Sequence, residues 1–497
     1  MTAYEQLEKR FRRINAIGEA SGVLGWDMSA VMPEGGAAAR TEQLAALGAV
    51  RHEMLTASEV GDWLDAAEES KGNLNGWQLA NLREMRRIWR HATALSSDFV
   101  ERLTRACKKC EGIWRTARPG NDFKAVLPAL KEVLALSREE AAIKAELFGC
   151  SLYDALLDSY EPGGSSERID AIFEDFAAFL PGFLGEVMEA QASRPDALPL
   201  QGPYDTAQQA ELGRELMAAV GFDFNHGRLD TSLHPFCGGV PDDVRITTRY
   251  DEQDFMTALM GVLHETGHAL YERGLPADWR LQPVGSARGM TLHESQSLLI
   301  EMQACRSAEF MRFMAPKARE ILGLSGAAYE AENLRALSNR VQPGFIRVDA
   351  DEVTYPAHVI LRYRLERALI EGRMELEDLP TAWNDGLEAL LGIRPPSDTL
   401  GCLQDIHWYD GAWGYFPTYS LGAMAAAQIF DSARRANPDL LNRIEQGDFA
   451  PLMSWLGEQV HSRGSSMSTD ELLTHATGRP LDPAVFKAHL KTRYLGQ

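Results

Sequence analysis

Basic residues are in deficit. The 497-residue chain carries 50 Lys and Arg against 71 Asp and Glu, a net charge of −21. Nucleic-acid binding needs clustered positive charge to neutralise phosphates, and no stretch of Lys and Arg here is dense enough to supply it. Cysteine is scarce too: six residues, Cys107, Cys110, Cys150, Cys237, Cys305 and Cys402. That number fits a reducing compartment better than a disulfide framework. The "CKKC" pair at 107–110 has no second pair, lies in a helical stretch and reads as reduced surface thiols. Long apolar runs are missing. No stretch approaches the ~18 uncharged apolar residues of a membrane span, and the opening "MTAYEQLEKRFRRINAIGEA" lacks the apolar core of a signal peptide. A cytoplasmic protein with no membrane partner is expected. Low-complexity linkers and fixed-period repeats are absent as well.

What is present reads as a folded protein, 45% hydrophobic and 24% charged. Length alone suggests about three domains, but large helical proteins often merge into one body. The expectation is a single unit over 1–497, with a helical part at 1–227, a central core at 228–425 and a helical C-terminal part at 426–497. Apolar residues recur at helical spacing in "YEQLEKRFRRINAIGEASGVLGWD", "NGWQLANLREMRRIWRHATAL" and "PALKEVLALSREEAAIKAELFG". The pattern changes at "HPFCGGVPDDVRITTRY", where a Gly/Pro turn precedes an alternation that puts Val244, Ile246 and Thr248 on one strand face. "GFIRVDADEVTYPAH" at 344–358 is a second strand candidate. The predicted fold is mostly α, with one small antiparallel sheet near the middle.

"DEQDFMTALMGVLHETGHALYERG" is a helix with acidic residues at its start and Gly274 followed by Pro276 at its end. Residues four apart share a helix face, so His264 and His268 can turn one imidazole nitrogen each toward one cation. Glu265 is one step round and is placed to act on water, not to ligate. H-E-x-x-H also arises by chance, and two core histidines bonded to carbonyls are the alternative. The apolar flanks "FMTALMGVL" and "AL" favour a buried metal helix. A catalytic zinc takes three protein ligands, and "GMTLHESQSLLIEMQACRSAEF" reads as a second buried helix that can supply the third. Glu294, 26 residues after His268, is the candidate, giving a His2Glu set. His293 competes with it, and Glu301 lies two turns further along.

Several separated motifs then occur in one order: "HPF" at 234–236, "DVRIT" at 243–247, "HETGH" at 264–268, "HESQ" at 293–296, "IRVDAD" at 346–351 and "GCLQDIHW" at 401–408. With "WDMSAVMPEGGAAARTEQLAAL" at 26–47 they span nearly the whole chain, which resembles the carboxypeptidase Taq family of metallocarboxypeptidases. The resemblance implies a large helical zincin-like peptidase fold with a deep groove, similar to angiotensin-converting enzyme and neurolysin. It implies removal of single C-terminal residues from peptides, zinc or sometimes cobalt as cofactor, and a homodimer. Carried over by position, it implies His264, His268 and Glu294 as ligands and Glu265 as general base and acid.

A carboxypeptidase must hold a free α-carboxylate, for which a planar arginine is suited. Arg245 and Arg347, both on strand candidates, are the choices, with Arg347 preferred. A structural salt bridge to a nearby acid such as Asp243 or Asp349 is the alternative for each. "QDIHWYDGAWGYFPTYSLG" supplies His407, Tyr415 and Tyr419 as donors to developing oxyanion charge, by analogy with the related dipeptidase fold. Trp408, Trp413 and Phe416 read as packing. His234 either contacts substrate or caps the hairpin. The competing functions are a zinc oligopeptidase or dipeptidase with the same ligands, and a metal-stapled scaffold that binds peptides without cutting them. The scaffold leaves Glu265 without a duty, and a structural zinc closes its fourth position with protein.

Overall fold

The computed structural model describes all residues, Met1–Gln497. Twenty α-helices account for most of the chain, and one small sheet interrupts them. The main core is a continuous cluster of 91 buried residues drawn from Ala106 to Tyr494. A separate group of eight, including Leu7, Phe11, Leu64 and Met85, ties the N-terminal helices to one another. No helix is long and apolar enough to cross a membrane.

The sheet is mixed, not antiparallel. β1 (Gly227–Thr231), β2 (Phe236–Val240) and β3 (Asp243–Thr248) run in the order β1-β3-β2. β2 and β3 form a tight antiparallel hairpin, while β1 lies parallel to β3 on its other side. The four residues between β1 and β2 cross the end of β3, and side-chain bonds hold them there. The Ser232 hydroxyl pairs with the Thr247 hydroxyl at 2.7 Å, and the Ser232 amide donates to the Thr248 carbonyl at 3.0 Å. Val244, Ile246 and Thr248 are buried, as their alternation requires.

The segment 344–358 is not a strand. It forms a 3-10 turn at Arg347–Asp349 and then enters the helix Tyr355–Ile370. Its polar backbone is satisfied by side chains, not by a neighbouring strand. The Arg347 amide donates to Gln404 Oε1 at 2.9 Å, and Asp351 accepts from the Val353 and Thr354 amides. The thiols of Cys107 and Cys110 are also not at the surface. Ala106, Cys107, Cys110, Trp114 and Ala117 share the buried face of the helix Ser97–Ala117, so the pair belongs to an apolar stripe.

The site is positioned by three central helices. Phe255–Gly274, the histidine helix, starts at Asp254, whose carboxylate accepts from the Met256 and Thr257 amides. It is buried on nearly every side, which its apolar composition permits. Met290–Leu298, the glutamate helix, widens into a π-helical turn at Leu299–Ala304, a distortion often found at functional sites. The third helix, Pro417–Ala436, packs along the glutamate helix and its π-helical turn. Two glycines let these backbones approach. A Cβ on Gly267 would run into the Gln296 carbonyl and sit 2.6 Å from Ser297 Cα, and one on Gly422 would sit 2.9 Å from Glu294 Cβ.

Candidate metal centre

The histidine and glutamate helices bring His264, His268 and Glu294 together, with one donor atom of each lying within 4.8 Å of the others. Glu294 Oε2 is 3.4 Å from His268 Nε2 and 3.9 Å from His264 Nε2. A tetrahedral ion about 2.0–2.1 Å from each ligand separates ligand atoms by about 3.3–3.5 Å, so the set fits a divalent cation with small adjustment. The donor chemistry fits as well. The Nδ1–H of His264 donates to Glu301 Oε2 at 3.0 Å, which fixes the ring with Nε2 toward Glu294 as the nitrogen that would ligate once a cation displaces its proton. Arg306 in turn donates to Glu301 Oε1 at 2.6 Å. The equivalent atom of His268, Nδ1, is buried without a protein partner. His293 faces elsewhere: its Nε2 pairs with Glu272 at 2.8 Å, and its ring packs against His268 at 4.6 Å.

Electrostatics separate the two carboxylates of the pair of helices. Burial opposes ionisation of Glu294, yet the hydrogen bond from His268 and the adjacent imidazoles bring its carboxyl down to about 2. It is therefore a full anion. Burial instead pushes the Glu265 carboxyl up to about 7, with His264 pulling it down and Glu294 adding to the rise. No hydrogen bond from the protein fixes Glu265, so its oxygens remain available to a reactant. Burial disfavours charge on His264, but Glu301, Glu294 and Glu265 outweigh it and raise the imidazole to about 10.

A second polar group surrounds Arg347. Its Nε and Nη2 donate to Asp405 Oδ1 at 3.2 and 2.9 Å, so its ion-pair partner is Asp405 and not Asp349. The fully buried Arg362 donates to Asp405 Oδ2 at 2.6 Å and to Gln404 Oε1 at 2.7 Å. One carboxylate thus fixes two guanidinium groups. The Arg347 guanidinium lies 4.8 Å over the Tyr419 ring, and Tyr419 hydroxyl is 3.3 Å from His407 Nε2. Tyr415 packs edge-on to Tyr419 at 5.0 Å. Burial lowers His407 to about 4, against the pull of Asp405, so the ring is neutral. Burial raises the Tyr355, Tyr415 and Tyr419 phenols, and the Glu294 carboxylate adds to the rise for each. These phenols therefore stay protonated and face the same region as Glu294.

Arg245 and His234 are not brought into this group by any contact. Arg245 donates to Asp243 at 2.5 Å and lies 4.5 Å over the Trp26 ring. His234 is exposed between β1 and β2, where its carbonyl accepts the Ser232 hydroxyl at 2.5 Å. Trp408 and Trp413 stack on each other in the core at 5.5 Å. Sequence reasoning missed Tyr355, Asp405, Arg362 and Glu272. The first two sit inside or beside quoted motifs, but which distant arginine an aspartate meets is decided by tertiary structure, so only their polarity in apolar surroundings could have flagged them.

A family model described as carboxypeptidase Taq (M32) metallopeptidase matches residues 6–494. The chain is 37% identical to thermostable carboxypeptidase 1 of Thermus thermophilus, covering 99% of this chain and 98% of that relative. It is 31% identical to carboxypeptidase 1 of Bacillus subtilis, with 98% of each chain covered. Among solved structures it superposes on Trypanosoma cruzi metallocarboxypeptidase 1 with a TM-score of 0.97 at 44% identity, covering 99% of both chains. The M32 carboxypeptidase from Deinococcus radiodurans gives 0.94 at 34% identity, covering 99% of this chain and 98% of that one.

Proposed function

Since the chain belongs to the carboxypeptidase Taq (M32) metallopeptidase family, and is thereby a peptide hydrolase, we propose that it releases single C-terminal residues from peptides, with zinc held by His264, His268 and Glu294. The observation that carries this reading is the convergence of those three donors beside an unbonded Glu265. Two histidines and a carboxylate are a catalytic zinc set, which keeps a coordination position open. When bound, the cation supplies Lewis acidity toward a carbonyl oxygen and toward water.

The chain's own residues do the rest. Glu265 takes a proton from the attacking water on a carboxylate oxygen and later gives it to the leaving amine, so the water's hydroxyl ends on the new carboxyl group and both its protons are accounted for. Arg347, held rigid by Asp405, receives the substrate's α-carboxylate. Tyr419, Tyr415 or His407 donates to the oxygen that gains charge. Two polar clusters thereby divide the work: one set positions the cation, the other positions the peptide end.

Mass spectrometry of a digest of N-terminally blocked peptides tests this reading. Products shortened by one residue at a time support it. Loss of dipeptides or internal cuts would replace it with the dipeptidase or oligopeptidase alternative, and intact peptides with the metal bound would replace it with a scaffold.

A second expectation concerns the metal and its support. His264→Ala is expected to lose most of the bound metal, read by elemental analysis on protein with an unchanged circular-dichroism spectrum. Glu301→Gln keeps a hydrogen-bond acceptor for His264 Nδ1 but removes the charge, so metal affinity should fall by ~10–100-fold, the usual range for such outer partners. Metal retained at full stoichiometry and affinity in both variants would show that the ion sits elsewhere.

A further inference from the structure

A cavity of 570 Å³ opens on the helices Ala308–Ile321, Pro417–Ala436 and Pro483–Leu495. None of His264, Glu265, His268, Glu294, Arg347 or Tyr419 lines it. Five arginines do: Arg306, Arg335, Arg434, Arg479 and Arg493, against two acids, Glu309 and Asp431. Two of these arginines are paired at the surface, Arg335 with Glu332 at 3.2 Å and Arg479 with Asp482 at 2.8 Å. Both acids are already engaged from outside the lining, Glu309 by Arg312 and Asp431 by Arg435, each at 3.1 Å. The partners of the two innermost arginines are buried behind them: Glu301 on Arg306 at 2.6 Å and Glu352 on Arg493 at 2.9 Å. Arg434 is exposed at the rim and takes part in no ion pair, since its neighbour Arg435 holds Asp431. The Nε of Arg306 is buried without a partner. The rest of the wall is mixed, apolar at Leu441 and Val485 and polar at Gln303, Asn339 and His489.

We propose that this cavity is a second ligand site, which takes a phosphate-bearing small molecule with an aromatic or apolar body. Guanidinium forks match phosphate oxygens, the volume lies in the range of small-molecule sites, and the half-buried Leu441 and Val485 offer apolar surface to the body of the ligand. A direct line runs from this site to the metal centre. Arg306 bonds Glu301, and Glu301 bonds His264. Glu301 lies in the same π-helical turn as Gln303, which lines the cavity. A phosphate that draws Arg306 toward the cavity weakens the hold on Glu301, and so changes how His264 is presented. This coupling rests on the proposed ligand set; the second site itself does not.

Calorimetric titration of the metal-loaded chain with adenosine monophosphate, inorganic phosphate and adenosine tests the site. One saturable site per chain is expected for the nucleotide, with weaker binding of phosphate and weaker still of adenosine. Arg434→Glu removes a charge-assisted partner and should weaken the nucleotide by at least ~10-fold. Ala488→Trp, at an exposed lining position, should abolish binding by filling the mouth. Both positions are exposed, so both variants should melt as the parent does. Absence of saturable heat with the nucleotide and with phosphate, or equal affinity in the parent and both variants, overturns the proposal. The coupling is read separately, as the apparent Kd of the metal in competition with a chromogenic chelator. Adenosine monophosphate should change that Kd at least ~2-fold in the parent and not in Arg434→Glu, because linkage is reciprocal; the variant also removes chelation by the nucleotide as an explanation. An unchanged Kd in the parent, with binding intact, overturns the coupling. Neither result depends on peptide cleavage, so the peptidase reading fails or stands on its own digest.

Discussion

Glu265→Gln is expected to keep its full complement of metal and to lose at least ~10²-fold in kcat, the lower end for removing a general base. The substitution preserves size, shape and the neutral hydrogen-bonding capacity of the side chain, and it removes only the ability to accept a proton. Its setting makes the comparison clean. Glu265 is buried beside His264, and no hydrogen bond from the protein holds its carboxylate. A glutamine there leaves no protein donor unsatisfied, so folding should be unaffected. The donor trio is formed by its neighbours and not by Glu265 itself, so elemental analysis should read the same as in the parent. The combination is diagnostic. Loss of metal together with activity would make Glu265 a ligand or a structural residue. Near-normal turnover with metal bound would take it out of the mechanism.

The centre was legible because its information is local. Spacing of four on a helix puts His264 and His268 on one face whatever the rest of the chain does, and an apolar stretch with "HES" in it marks a buried carboxylate 26 residues later. The geometry that makes the trio compact was not local. Gly267 reads as an ordinary helix glycine until the Gln296 and Ser297 backbone is seen against it. The sheet shows the same boundary. The alternation at Val244, Ile246 and Thr248 belongs to β3 alone and could be read; the parallel pairing of β1 with β3 depends on a crossing of four residues and on Ser232 reaching Thr247. Segment 344–358 failed for a related reason. Ile346 and Val348 alternate with polar residues as a strand would, but a strand also needs a neighbour, and Gln404 takes the Arg347 amide instead. Asp405 lies within the motif "GCLQDIHW", yet its role comes from the meeting of Arg347 and Arg362, which lie on different elements. Cys107 and Cys110 were misjudged because their polar neighbours Lys108 and Lys109 occupy the opposite face of the same helix.

Amidation of the peptide C-terminus is expected to reduce kcat/KM by at least ~10-fold, and Arg347→Ala to reduce it similarly on free peptides with little further loss on amidated ones. The argument begins with Asp405. It occupies the Nε and Nη2 edge of Arg347, which holds the guanidinium in place, and Nη1 has no carboxylate partner within the protein. Burial works against the charge of Arg347, but Asp405 more than compensates and keeps it permanently cationic. A substrate carboxylate arriving at Nη1 gains a charge-assisted bond worth about 1.5–3 kcal/mol. An amide offers no negative charge in return, so at 1.4 kcal/mol per decade the loss is ~10-fold or more. Arg347→Ala also disturbs the protein, since Asp405 then depends on Arg362 alone. A simple loss of activity is therefore weak evidence. The double comparison is stronger, because two changes that remove one interaction cannot cost twice. Equal cutting of free and amidated peptides would show that the peptide end is not read at all and would favour the oligopeptidase alternative. The same non-additive pattern at Arg245, with Arg347→Ala neutral, would move the carboxylate site to the strand arginine, which must then leave Asp243 and the Trp26 ring to reach it.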